Sequence, residues 1–279
     1  MRLLILTDIH GNMPALEAVL ASSAAQGCDR VYSLGDHTGF GPQPRQAHER
    51  LLSLGAVMLL GNHDARLNHL DNPALQSRNW ALLHWIGREM RGIAMDTLPA
   101  EVTVGQVMMT HAVPGCVERL IYPEEAPAIL DQLPDGVTLL LSGHNHIAWD
   151  VTHNGRRSVN PGSVGMQESG TGAAAGFAVV DTDNLTVTRY EIPYDISAVK
   201  AAYLASGSTE AAPIFTRLAY HTMETGQTFT LPFMQHAKAV AARTGLAFAD
   251  DALWTEVDRT FAWPVPVPSE QYWKELAKA

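Results

Sequence analysis

The chain has 279 residues, of which 46% are hydrophobic and 17% charged, which excludes a disordered or collagen-like protein. At this length a fold buries roughly three quarters of its unfolded surface without staples, as one large domain or one domain with an appendage. Lys+Arg number 19 and Asp+Glu 29, so the net charge is 19 − 29 = −10 and the overall field does not attract DNA or anionic lipid. Cys28 and Cys116 are the only cysteines, too few for a disulfide framework, which suits a reducing compartment. No apolar run reaches the roughly 18 residues of a transmembrane helix, and Asp8 closes the first run before it can serve as a signal-peptide core. A cytoplasmic protein with no membrane partner is expected.

Residues 2–7 (RLLILT) are short, apolar and without alternation, the pattern of a buried strand. Asn12 is placed to cap a helix carrying Leu16, Val19, Leu20 and Ala24, with Gly27 as its stop. A second strand follows at 31–34, a helix at 43–54 and a third apolar run at 56–60, an alternation that predicts a parallel α/β sheet. Residues 75–91 read as helical, 102–111 as a hairpin running into a strand, 123–133 as a helix and 137–142 as another buried strand. Residues 148–160 predict a hairpin turning at Asn154-Gly155, and 176–181 pairs with 185–191 in a second hairpin. This later part is expected to form a second sheet packed on the first. Helical periodicity then occupies 195–206, 210–220, 231–244 and 250–261, with a short last helix after the WPVPVP stretch. The organisation expected is a core over 1–195 and a helical extension over 196–279.

One pattern recurs along the core: an apolar run ends and a potential metal ligand follows. It occurs at Asp8 and His10, at Asp36, at Asn62, at His111, and at His144 and His146. Sites in α/β sheets form at the carboxyl ends of strands, so these strand ends can present their ligands to one place. Mixed imidazole and carboxylate suits Zn, Mn, Fe or Ni rather than calcium, and the lack of thiolate argues against a closed structural zinc site. The set is too large for one tetrahedral ion. It fits two ions if one carboxylate bridges, and paired ions would supply the positive charge that an acidic surface lacks.

TDIHGN (7–12), GDHTGFGP (35–42), GNHD (61–64), THAVP (110–114) and GHNH (143–146) together resemble the signature of the calcineurin-like metallophosphoesterase superfamily. NPGSVG (160–165) is similar to a segment of its bacterial members, the diadenosine tetraphosphatase-like subgroup. The resemblance covers residues 1–195 and implies a four-layer α/β/β/α sandwich. It implies that Asp8, His10, Asp36 and His146 hold one divalent ion and Asp36, Asn62, His111 and His144 the other, with Mn the ion that supports activity. It assigns His63 to the phosphate and leaving group, with Asp64 orienting its ring and favouring its protonated form. His37 stands where an aliphatic residue is usual, and Phe40 where the bacterial subgroup has Tyr.

The expected function is therefore a dinuclear phosphohydrolase. A metal-bound hydroxide would cleave phosphodiester or phosphoanhydride bonds of a small, nucleotide-like substrate, and no long nucleic acid is expected as partner. A phosphoprotein or phosphomonoester phosphatase and a non-catalytic scaffold on the same fold are the alternatives. A metal-dependent amidohydrolase fits less well, because its H-x-H opens the chain whereas here it comes late. His48, His69, His84, His153, His221 and His236 read as ordinary core or surface histidines, and NPGS as a structural turn near the site. Arg66 is open between a phosphate contact and a surface arginine.

Overall fold

The computed structural model describes residues 1–278. Its first half runs β1 (Arg2–Leu6), α1 (Met13–Ala21), β2 (Arg30–Ser33), α2 (Pro44–Ser53), β3 (Val57–Met58), α3 (Asn62–Arg66), α4 (Ala81–Glu89), β4 (Glu101–Val104), β5 (Val107–Thr110), α5 (Ala126–Leu130) and β6 (Leu139–Leu141). Two hairpins follow, β7 (Trp149–His153) with β8 (Arg156–Asn160) and β9 (Ala174–Asp181) with β10 (Thr186–Pro193). The remainder is helical: α6 (Ile196–Ser206), α7 (Ser208–Ala211), α8 (Pro213–Thr225), α9 (Thr230–Thr244), α10 (Asp251–Thr260) and α11 (Ser269–Leu276).

The strands form two five-stranded sheets, ordered β10-β9-β1-β2-β3 and β4-β5-β6-β8-β7. Within them β1, β2 and β3 run parallel, as do β5, β6 and β8. The period-2 geometry of a strand explains why the central runs are apolar throughout. Leu3 and Ile5 of β1 pack with Val107 and Met109 of β5 and Leu139 and Leu141 of β6 in a core between the sheets. Leu4 and Leu6 face the other way, onto Leu16 and Val19 of α1 and Tyr203 of α6. On the far side Met108, Leu140 and Trp149 pack on Ile129 and Leu130 of α5. Helix, sheet, sheet and helix thus form four layers, as the motifs imply.

Several local expectations are corrected. The hairpin β9–β10 does not join the second sheet; β9 is buried along nearly all its length and pairs antiparallel with β1 of the first. Helix α1 ends at Ala21, well short of Gly27, because Ser22 leaves helical geometry and its hydroxyl donates to the Val19 carbonyl at 2.7 Å. The 75–91 stretch is broken by 3₁₀ turns at Pro73–Leu75 and Arg78–Trp80 before α4 begins. The 123–133 helix contracts to α5, which opens with Pro127 in its first turn.

The helices after residue 195 enter two cores. Val199 and Tyr203 of α6, Tyr220 and Met223 of α8, and Tyr272 and Trp273 of α11 share the apolar layer beneath β1. Phe233 of α9 and Leu253, Trp254 and Val257 of α10 build a smaller core with Ile214 and Leu218 of α8. Trp254 is fully buried, its indole N–H donates to the Phe248 carbonyl at 3.0 Å, and its ring meets Phe215, Phe233 and Phe248. Replacing Trp254 by Ala should cost about 3–5 kcal/mol in denaturant unfolding. A loss below about 1 kcal/mol would show that α10 adds nothing to the fold.

Candidate metal centre

The parallel strands deliver their ends to one edge where the two sheets meet. Asp8 and His10 follow β1, Asp36 follows β2, Asn62 opens α3 just after β3, His111 follows β5, and His144 and His146 follow β6. All seven residues named in the motifs converge there. Asp8, His10 and His146 form one group of mutually close ligand atoms, and Asp36, His111 and His144 form a second.

The ring nitrogens are directed by backbone carbonyls. His10 Nδ1 sits 3.0 Å from the Thr38 carbonyl and His111 Nδ1 3.0 Å from that of Leu34, so Nδ1–H donates outward and the Nε2 lone pair faces the centre. His144 is turned the other way: Nε2 contacts the Glu118 carbonyl at 3.2 Å and Nδ1 faces inward. Asp8 shows the same division of labour. Its Oδ2 accepts from the Thr7 hydroxyl at 2.6 Å and from the His144 N–H at 2.9 Å, while Oδ1 is buried with no hydrogen-bond partner. That oxygen lies 3.5 Å from His146 Nε2 and 3.9 Å from His10 Nε2. Asp36 stands between the groups. Its Oδ1 accepts from the His63 N–H at 2.9 Å, and its Oδ2 is 3.8 Å from His10 Nε2 and 3.5 Å from His111 Nε2.

A divalent cation fits this arrangement on three counts. The orphaned Asp8 Oδ1 is one. The donor set is the second: Asp36 Oδ2, His111 Nε2 and His144 Nδ1 gather within 3.0–3.2 Å of the Asn62 amide, a mix of carboxylate, imidazole and amide that suits a divalent transition metal. The third is charge. Burial, then the negative charges of Asp64 and Asp8, push the Asp36 carboxyl well above its ordinary range. Burial, reinforced by His146, lowers His10 to about 3, and burial lowers His111 to about 4 against the pull of Asp8, so both rings are neutral and able to donate a lone pair. His146 behaves oppositely. Burial opposes its charge, but Asp8 and Glu168 outweigh it and raise the ring to about 10, so metal binding there releases a proton.

The backbone is strained at the same residues. Asp8, His10, Asp36, His144 and His146 all have left-handed φ angles, between 49° and 73°. Such conformations cost on the order of 1–3 kcal/mol each and persist where the surroundings over-determine them. Two glycines show how tight the surroundings are. A Cβ on Gly61 would collide with Asp36, and one on Gly39 with the His10 ring.

The expected His63–Asp64 pairing is corrected. The GNHD segment is the first turn of α3, where adjacent residues point to different faces. Asp64 turns back to accept from the Gly61 N–H at 3.2 Å, as in a capping box, and from the Thr38 N–H and hydroxyl at 3.1 and 2.8 Å. Its Oδ2 also lies 3.2 Å from His37 Nδ1, so the unusual His37 is a buried partner of Asp64. The His63 ring instead meets Phe40 and His10, with centroids 4.7 and 5.1 Å apart. Burial, then the neighbouring His10, Arg66 and His146, hold it well below the ordinary imidazole range, with Asp64 opposing.

Other contributors were not legible as ligands. Glu168 reaches His146 Nδ1 at 3.6 Å from a loop with no ligand-like spacing, and no sequence signal marks it. NPGSVG is a brace: Ser163 Oγ and the Gly165 N–H donate to the Asp8 carbonyl at 2.8 and 2.9 Å, and Asn160 Nδ2 donates to the Gly143 carbonyl at 2.7 Å. The six histidines read as ordinary belong to neither ligand group. Arg66 pairs with Glu118 at 2.6 Å and, with His63, borders a cavity of about 260 Å³.

Comparison with known proteins places this site in a family. The profile of the calcineurin-like phosphoesterase superfamily domain matches residues 1–185, and the chain belongs to that family of metal-dependent phosphoester hydrolases. It is 25% identical over 222 residues to an uncharacterised protein, MJ0912, of Methanocaldococcus jannaschii, covering 71% of this chain and 89% of that one. It is 26% identical over 198 residues to the phosphodiesterase YfcE of Escherichia coli, covering 67% of this chain and 91% of that one. A solved metallophosphoesterase from Sphaerobacter thermophilus, 27% identical, superposes with a TM-score of 0.66 over 78% of this chain and 100% of that one. Among the described residues no helix is long and apolar enough to cross a membrane.

Asp36→Asn should lower affinity for both ions by at least about 10–100-fold, the range seen even for outer partners of metal ligands. Without metal the variant should unfold at or above the wild-type temperature, because a crowded buried carboxyl becomes a neutral amide. Calorimetric unfolding with and without Mn measures both. Full metal-dependent stabilisation in the variant would contradict the central place of Asp36.

Proposed function

We propose that the chain is a dinuclear phosphohydrolase that cleaves phosphodiester or phosphoanhydride bonds of a small substrate, with nucleotides among the candidates and Mn an effective ion. The observation that carries it is Asp36 Oδ2, which lies between two ligand groups and within 3.8 Å of a histidine from each. Asp8, His10, Asp36 and His146 would hold one ion, and Asp36, Asn62, His111 and His144 the other. When bound, two such ions supply Lewis acidity for a water nucleophile and offset the charge of the phosphoryl group.

The protein's own groups do the rest. The carbonyls of Leu34, Thr38 and Glu118 fix the rings, so the site is organised before substrate arrives. Among the described residues Arg66, held beside Asn62 and Glu118, is the one Lys or Arg bordering the cavity, enough for a monoanionic diester and few for a dianionic monoester. His63 is neutral while the pocket is free of anions; a phosphate beside it favours the protonated ring, which then donates to the leaving oxygen. The acidic surface makes a long nucleic acid a poor partner.

His63→Ala should keep the metal content while lowering turnover by roughly 10²–10⁴-fold, with a smaller loss on nitrophenolate than on alkoxide leaving groups. Loss of an ion in this variant would make His63 a ligand. On the Mn-loaded protein, bis-p-nitrophenyl phosphate should be cleaved at least as fast as p-nitrophenyl phosphate. A strong monoester preference across a panel with dinucleoside polyphosphates and phosphopeptides would overturn the diester reading.

A further inference from the structure

The cavity beside His63 is not closed by the catalytic core alone. Its polar end is His63 and Arg66. Its far wall is Leu83 and Ile86 of α4, facing Phe215 of α8 and Thr230 and Met234 of α9. These last three residues lie beyond residue 185, where the family match ends. The wall is anchored from behind. Phe233 and Trp254, both fully buried, fix α9, and Trp85, Ile86 and Met90 fix α4 against Ala212 and Phe215.

The lining is apolar apart from its catalytic end, Asn79 and Thr230, and the Asn79 side-chain Oδ1 already accepts from the Ser77 hydroxyl. Trp80 also lines the cavity, with the Arg66 guanidinium 5.9 Å from its ring. At about 260 Å³ the space is below the roughly 300–1,000 Å³ that holds a drug-sized ligand, so it takes one ring-sized group. A sugar or a second phosphate placed there would lose water and find few partners beyond Asn79 and Thr230.

We propose that this cavity is a subsite for an apolar ester group of the substrate, an aryl or branched alkyl substituent on the phosphate, and that Phe215, Thr230 and Met234 decide which esters enter. This rests on the phosphohydrolase reading and assigns the helices after residue 195 a part in specificity. The phosphate lies at His63 and Arg66, and the substituent points away from the metal ligands between α4 and α9.

The test separates binding from turnover. Methyl(phenyl)phosphinate and dimethylphosphinate carry one charge and only P–C bonds to carbon, so neither has an ester that can be cleaved. Their affinities for the Mn-loaded full chain are measured by calorimetry, beside turnover of bis-p-nitrophenyl phosphate. The phenyl compound should bind about tenfold tighter or better, as expected for burying one aromatic ring. Met234→Glu and Thr230→Trp, one making the wall polar and the other filling it, should bring the phenyl-to-methyl affinity ratio near one, with melting temperatures showing that both variants fold. Equal affinities in the wild type overturn the subsite whether or not the diester is cleaved, as does a ratio unchanged in both folded variants. A phenyl preference without diester cleavage keeps the subsite and removes the phosphohydrolase reading instead.

Discussion

Everything at the strand ends follows from one electrostatic constraint: carboxylates brought into a buried place need positive charge. Asp8, Asp36 and Asp64 are all essentially inaccessible. Asp64 is satisfied by the donors of Gly61, His37 and Thr38. Asp8 Oδ1 has no hydrogen-bond partner, and it and Asp36 Oδ2 face imidazole nitrogens of His10, His111 and His146 at 3.5–3.9 Å. Such a cluster is costly alone and favourable around cations, so the ligand geometry and the burial explain each other. The left-handed backbone at five of the ligand positions belongs to the same account, because the strain persists only where neighbouring loops hold it. NPGSVG does that holding for Asp8 and for the turn that leads to His144.

The two-sheet architecture makes this convergence possible. Ligands from β1, β2 and β3 belong to one sheet and those from β5 and β6 to the other, and the apolar core between the sheets sets their separation. The fold was legible in the sequence wherever a short apolar run ended in Gly, Asp, Asn or His, because such a run is too short for a helix and its end is marked by a turn residue. It was less legible where a single hydroxyl or a proline decides a boundary, as at Ser22 and Pro127. The placement of β9 depended on long-range pairing with β1, which local pattern does not encode.

The site divides in the same way. The convergence of the seven candidate ligands was legible because each follows a strand end within five residues. The partner of Asp64 was not, because adjacency in sequence suggests His63 while the helical turn of α3 sends the two side chains apart. His37, which looked only unusual, turns out to be what Asp64 faces. Glu168 and the apolar wall of α8 and α9 arrive from distant segments, and only tertiary structure could place them. The C-terminal helices thus complete the layer beneath β1 and also bound the cavity at His63.

The most direct measurement is anomalous X-ray diffraction from crystals of the full chain equilibrated with Mn. The account predicts two peaks roughly 3.5–4 Å apart, as in other paired sites, with Asp36 reaching both. One peak should fall among Asp8, His10 and His146, the other among Asn62, His111 and His144. A single peak at saturation, or peaks away from these residues, would contradict it.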